Sequence, residues 1–173
     1  MKVALKATLI IFFALVFAAC GFQLRGAYAF PFESLHISGA DYTMIVASLK
    51  RAVRASNATR LVEDKKDAQA IFVPTSEIRQ PIILSLSSSG RAREKRLFYS
   101  YGYRVVDQEG RDLIKPSVVQ LSRDLTYADS AILAKEQEET LLWRDMENDL
   151  VQQLMRRLAA AKIQTPQELD REK

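Results

Sequence analysis

From Arg96 to Val106 the chain alternates. Leu97, Tyr99, Tyr101, Tyr103 and Val105 point one way and Arg96, Ser100, Gly102 and Arg104 the other, with Phe98 and Val106 as exceptions. A period of two marks a half-buried strand. Glu109-Gly110-Arg111 reads as a turn, and Ser117 to Tyr127, with Val119, Leu121, Leu125 and Tyr127 on one face, completes an antiparallel hairpin. Upstream, residues 68 to 86 are rich in isoleucine, valine and threonine (Ala70-Ile71-Phe72-Val73, then Ile82-Ile83-Leu84) and contain Pro74 and Pro81. Because proline removes a ladder donor, that strand is predicted to lie at an edge or to carry a bulge. Leu35 to Ser38 gives a further short strand after Pro31.

Two stretches carry the helical period instead. Asp41 or Thr43 can cap a helix running to about Ser56, in which Ile45, Leu49, Ala52 and Val53 recur on one face and Lys50, Arg51 and Arg54 on the other. Asp129 or Ser130 opens a longer helix reaching Leu158, with Ile132, Trp143, Met146, Leu150, Leu154 and Leu158 on its apolar face. At about 1.5 Å per residue it approaches 40 Å, enough to cross a whole sheet. The order strand, helix, three strands, helix predicts an α+β, two-layer sandwich: a mostly antiparallel four-stranded sheet with two helices packed on one face. The other face must stay wet or meet a partner.

The first residues do not belong to that pattern. Lys2 and Lys6 precede an apolar stretch, Ala7 to Phe17, which ends in Ala18-Ala19 before Cys20, the chain's single cysteine. About eleven apolar residues fall short of the ~20 that a membrane span needs, so residues 1–19 read as a signal peptide and the whole as a bacterial lipobox, with Phe17 where leucine is usual. Acylation of Cys20 then tethers the chain by lipid and removes cysteine chemistry from it. Gly21, in place of an aspartate, favours the outer membrane. The division expected is a removed signal peptide at 1–19, one domain at 20–161, and a polar, disordered tail at 162–173 that contains Pro166.

Charge and chemistry narrow the function by exclusion. The net charge of +4 halves on loss of Lys2 and Lys6, which gives no nucleic-acid signature. His36 is the only histidine and sits in an alternating stretch, as a solvent-facing or edge-strand residue would. No set of about four His or Cys ligands exists for zinc, and no phosphate-binding glycine loop, zincin helix or nucleophile elbow occurs. Glu136, Glu138, Glu139, Asp145, Glu147 and Asp149 fall in the long helical pattern, as a solvated face does. The tyrosine stripe reads as a packed sheet face more than as a ligand platform. No enzymatic activity is expected, and no cofactor beyond the lipid on Cys20.

The motifs together resemble a known family. Cys20-Gly21-Phe22-Gln23-Leu24-Arg25-Gly26, Leu121-Ser122-Arg123-Asp124-Leu125-Thr126-Tyr127, Ala134-Lys135-Glu136-Gln137-Glu138-Glu139 and Leu150-Val151-Gln152-Gln153-Leu154 with Arg156 and Arg157 occur in the order found in the lipopolysaccharide-assembly lipoproteins of the LptE family. The resemblance implies a non-enzymatic partner that plugs the outer-membrane β-barrel LptD and helps deliver lipopolysaccharide to the outer leaflet. A domain of this size has a radius of gyration of about 15 Å, so only a very wide barrel could house it. The resemblance also implies lipopolysaccharide binding through Arg91 and Arg93, in the loop from Ser85 to Glu94, and through Lys135, with Lys95 and Arg96 widening the patch. Guanidinium and ammonium groups suit the phosphates of lipid A. The alternative from the residues alone is an unrelated outer-membrane lipoprotein scaffold, for example one that binds peptidoglycan.

Overall fold

The computed structural model describes residues 28–39, 43–127 and 132–161. Cys20 and the segment before it, the candidate helix openers Asp41, Asp129 and Ser130, the side chain of Ile132 and the tail from Lys162 lie outside those residues. The elements are β1 (Ser34–Ile37), α1 (Met44–Ser56), β2 (Arg60–Leu61), a 3-10 turn (Lys65–Asp67), β3 (Ala70–Leu86), β4 (Ala92–Val106), β5 (Asp112–Thr126) and α2 (Ile132–Ala159). They form an α+β, two-layer fold whose sheet runs in the order β2-β1-β3-β4-β5. β3, β4 and β5 are antiparallel, whereas β1 is parallel to both β2 and β3.

The sheet therefore has five strands, where four are expected from the pattern. The extra one, β2, is two residues long and cannot display an alternation. It forms because Asn57, at a left-handed φ of 50°, ends α1. The chain then returns beside β1, where the Arg60 N–H donates to the Glu33 carbonyl at 2.9 Å and the Val62 N–H to the Leu35 carbonyl at 3.0 Å.

β3 satisfies both proline readings in different places. Its first residues lie between β1 and β4, and the last β1 contact is the Ser38 N–H on the Phe72 carbonyl at 2.9 Å. The next rung of a parallel ladder would need an N–H from Pro74, which has none, so β1 stops there. The register against β4 shifts between Pro74 and Ser76, and beyond that point β3 has, among the described residues, β4 as its only strand partner. Gly102 of β4 sits against this bulge; a Cβ there would come within 2.6 Å of Thr75 Oγ1 and collide with the Ser76 side chain.

Both helices pack on one sheet face. Ile45, Val46, Leu49 and Val53 of α1 and Trp143, Met146, Leu150, Val151, Leu154, Met155 and Leu158 of α2 bury with Leu35, Ile37, Phe72 and the alternate residues Leu97 to Val105. Phe72 stacks on Tyr103 at 5.3 Å. On the opposite face, Ala68, Ile71 and Val106 make a small second cluster with Val62 and Val73, and farther along Ile78, Ile82 and Val118 are exposed. At the open edge of β5, Arg157 of α2 donates to the Val118 carbonyl at 3.0 Å and Arg123 to the Ser122 carbonyl at 2.9 Å.

The long strands give the molecule two ends. Fifteen residues of β4, at about 3.3 Å each, span about 50 Å. At the base lie β1, β2, the end of α1, the β4–β5 turn and the end of α2. The described chain also begins there: the Tyr28 hydroxyl donates to Gln152 Oε1 of α2 at 2.8 Å, and Tyr28, Phe30 and Phe32 form a stacked ladder with centroids 6.4 and 5.5 Å apart. At the tip lie the β3–β4 hairpin, Tyr127 and the start of α2.

Candidate functional site

The tip is built by a hairpin turn that is shorter than the serine-rich sequence suggests. Ser87 to Arg91 closes it: the Ser87 N–H donates to the Arg91 carbonyl at 2.7 Å and the Gly90 N–H to the Ser87 carbonyl at 2.9 Å. Gly90 takes a φ of 77°, which a residue with a Cβ rarely adopts. Arg91 is the last turn residue, while Arg93 belongs to β4, which starts at Ala92 and not at Arg96. The Arg93 carbonyl accepts from the Tyr127 N–H at 2.8 Å.

Around that contact a polar clamp ties the helix to the hairpin. Lys95 donates to the Tyr127 hydroxyl at 3.1 Å and to Glu139 Oε2 at 3.3 Å, and lies 4.5 Å from the Tyr127 ring centre. The Tyr127 hydroxyl donates to the same Glu139 oxygen. The hydrogen bond to Tyr127, with the Glu139 charge, holds the Lys95 ammonium above its ordinary pKa against the effect of burial. Burial pushes Glu139 upward, but the bonds from Tyr127 and Lys95 outweigh it and leave the carboxyl below its ordinary value. Burial and Glu139 together raise Tyr127. The result is a charged lysine and carboxylate bridged by a neutral phenol.

Lys135 lies one helical turn before Glu139 and pairs with Glu138 at 2.7 Å. Arg91, Arg93 and Lys135 thus all belong to the tip, with Arg91 Nε on Ser89 Oγ at 3.3 Å. Lys95 and Arg96 are engaged more firmly. Arg96 makes a two-pronged contact with Asp124, at 2.7 and 2.8 Å, which lowers the Asp124 pKa.

Glu147 departs furthest from the sequence expectation, with Glu139, Asp149 and His36 departing less. Glu147, counted among solvated helix carboxylates, is only 7% exposed and accepts from Arg79 at 2.8 Å. Arg79 also lies 4.4 Å from the Trp143 ring centre, and Trp143 meets Tyr99 edge-on at 6.2 Å. The signal was there: Glu147 falls between Trp143, Met146 and Leu150 on the apolar stripe. Glu136, Glu138 and Asp145 are exposed as expected, while Asp149 is half-buried beside Arg123, at 3.4 Å. His36 is on the sheet face away from the helices, opposite in sense to Leu35 and Ile37, but not on an edge strand. β2 covers β1, and the half-buried ring points its Nδ1 at the Val62 carbonyl at 3.3 Å. Among the described residues no group of three His, Cys, Asp or Glu could hold a metal, and no helix is long and apolar enough to cross a membrane.

Comparison with known proteins matches residues 32–158 to a family model described as LptE, lipopolysaccharide-assembly. The LPS-assembly lipoprotein LptE of Yersinia enterocolitica is 33% identical over 164 residues, covering 89% of this chain and 76% of the relative. That of Photorhabdus laumondii is 29% identical over 153 residues, covering 86% and 77%. The solution structure of lipoprotein B from Nitrosomonas europaea superposes with a TM-score of 0.70 at 35% identity, over 81% of this chain and 91% of that one.

Proposed function

The chain belongs to the LptE family of lipopolysaccharide-assembly lipoproteins, and on that premise we propose that it works as a lipid-tethered plug in a wide outer-membrane β-barrel of the LptD type. In this reading residues 1–19 are removed and Cys20 carries the lipid. The domain assists assembly of the barrel and the passage of lipopolysaccharide to the outer leaflet, and the basic tip formed by Arg91, Arg93 and Lys135 receives the phosphates of lipid A. The match across residues 32–158 carries the proposal. Its supporting geometry is the separation of ends: the described chain starts at the base, while the basic hairpin lies about 50 Å away along β4. That reach exceeds the ~25 Å apolar band of an outer-membrane barrel, so a domain held at the periplasmic mouth is long enough to present its tip on the far side.

Affinity purification of the full chain from bacterial membranes in mild detergent is expected to bring a large barrel protein with it; recovery only as a free monomer would overturn the plug. Mass spectrometry of the mature protein should show an acylated Cys20 as the first residue. For the phosphate site, Arg91→Asp combined with Lys135→Asp is expected to weaken lipopolysaccharide binding, more at low salt than at high because exposed charges are screened. Unchanged binding in both salt regimes would remove those residues from the site.

A further inference from the structure

The last third of β3 is unusual for a water-soluble edge. Ile82, Ile83, Leu84 and Leu86 are exposed to 38, 58, 45 and 58%. Ile82 and Ile83 are consecutive strand residues, so they point to opposite faces of the sheet. α1, at 13 residues or about 20 Å, ends well short of this region. Cross-strand neighbours are basic: Ile82 is registered with Arg96 and Ile83 with Lys95, partners that stand about 5 Å apart in an antiparallel pair. Residues 91–96 carry four cationic side chains and one carboxylate.

Strand addition does not explain this edge. Pro81 keeps its register with Leu97 between Gln80 and Ile82, so its nitrogen, which has no hydrogen to give, faces outward. Register shifts on either side of Ser85 break the ladder again. What remains on offer is aliphatic side chain on both faces, beside a strand end where Asp124 and Glu139 hold Arg96 and Lys95 in ion pairs and Arg93 is exposed. A rigid protein wall would meet one face; flexible hydrocarbon chains can cover both.

We propose that Ile82, Ile83, Leu84 and Leu86 form a subsite for the acyl chains of lipopolysaccharide, next to the cations that meet its phosphates. The proposal rests on the lipopolysaccharide-binding reading above and extends it from headgroup to hydrocarbon. Acyl chains laid along this strip would leave water without disturbing any backbone hydrogen bond of the hairpin, and the adjacent Arg93 would stay in reach of the phosphorylated sugar.

The test compares immobilised full chain, wild type and Ile82→Ser/Leu84→Ser/Leu86→Ser, for binding of lipopolysaccharide and of lipopolysaccharide stripped of all acyl chains by alkali. Val118→Ser, an equally exposed aliphatic toward the base, is the control, and thermal melts check that each variant folds. The expected result is at least a tenfold loss of affinity for intact lipopolysaccharide in the triple variant, no change for the stripped form, and no change with Val118→Ser. Equal binding of intact lipopolysaccharide by wild type and triple variant overturns the subsite while leaving the headgroup reading standing. A wild type that binds neither form overturns both. A triple variant that binds lipopolysaccharide normally but no longer co-purifies with a barrel overturns the subsite and assigns the strip to a protein wall.

Discussion

The base and the tip of this domain are held together by different physics. At the base, aliphatic and aromatic side chains from β1, β3, β4, α1 and α2 close on one another, and Leu35, Phe72, Leu49, Val53, Leu154 and Leu158 are fully buried. At the tip, among the described side chains, α2 contributes no buried residue ahead of Trp143, and only Lys135, Glu139 and Leu142 are even half-buried. There the helix is fastened to the hairpin by Lys95, Tyr127 and Glu139. Apolar contact is roughly proportional to area and carries no protonation state of its own, whereas such a clamp depends on both partners staying ionised. One end of the molecule is therefore a conventional core and the other is adjustable.

The strongest way to break this contrast is to truncate at both ends. Leu154→Ala at the base is expected to cost about 2–5 kcal/mol, the range for a buried leucine that leaves a cavity. Ile83→Ala at the tip should stay within about 0.5 kcal/mol, as exposed substitutions do. Equal losses in urea unfolding would erase the distinction. Midway between the ends, Gly102→Ala is expected to cost about 1–2 kcal/mol, because its new methyl meets Thr75 and Ser76 at the bulge and these short side chains must turn aside; an unchanged midpoint would show that the bulge yields freely.

The clamp gives smaller, local effects. Glu139→Gln should lower global stability by no more than about 1 kcal/mol, since the pair is partly exposed. It should nevertheless speed amide exchange across residues 133–142 while leaving 146–158 protected. The pH dependence has a definite sign. The Glu139 carboxyl is depressed in the folded protein, so its contribution is present above the ordinary carboxylate range and is lost as pH falls through its folded value. Lys95 is raised, so its contribution is complete at neutral pH and fades only in strong alkali. Protection at 133–142, measured against the intrinsic exchange rate at each pH, that falls on acidification in the wild type and is already low at neutral pH in Glu139→Gln is the expected pattern.

The same contrast explains what could be read along the chain. Where apolar burial sets the structure, the periodicity is plain: the Leu97–Val105 alternation and the Trp143–Leu158 stripe are both visible, and so is the two-layer α+β arrangement they imply. Where polar contacts between distant segments set it, nothing local announces them. Arg93-Glu94 looks like loop, yet it is strand, because β3 supplies a partner that no window includes. β5 likewise starts at Asp112 and runs through Pro116, five residues before the alternation becomes legible. Glu139 resembled its solvated neighbours because its partners Lys95 and Tyr127 are 44 and 12 residues away. Of the basic tip, membership was legible from the motif order, but the position of Arg93 on a strand was not.

The two arginines at the outer edge of β5 have a consequence for crowding. A 15-residue strand with one open side is a template on which a second molecule can pair, and paired edges grow into aggregates. Arg157 and Arg123 occupy the carbonyls of Val118 and Ser122, four residues apart along that side, and Pro116 has no N–H to lend. A newcomer strand would have to displace a cation at each of those rungs before gaining a hydrogen bond. The edge is thereby kept out of circulation, and the free domain should remain dispersed at concentrations where an unguarded hairpin of this length would gel.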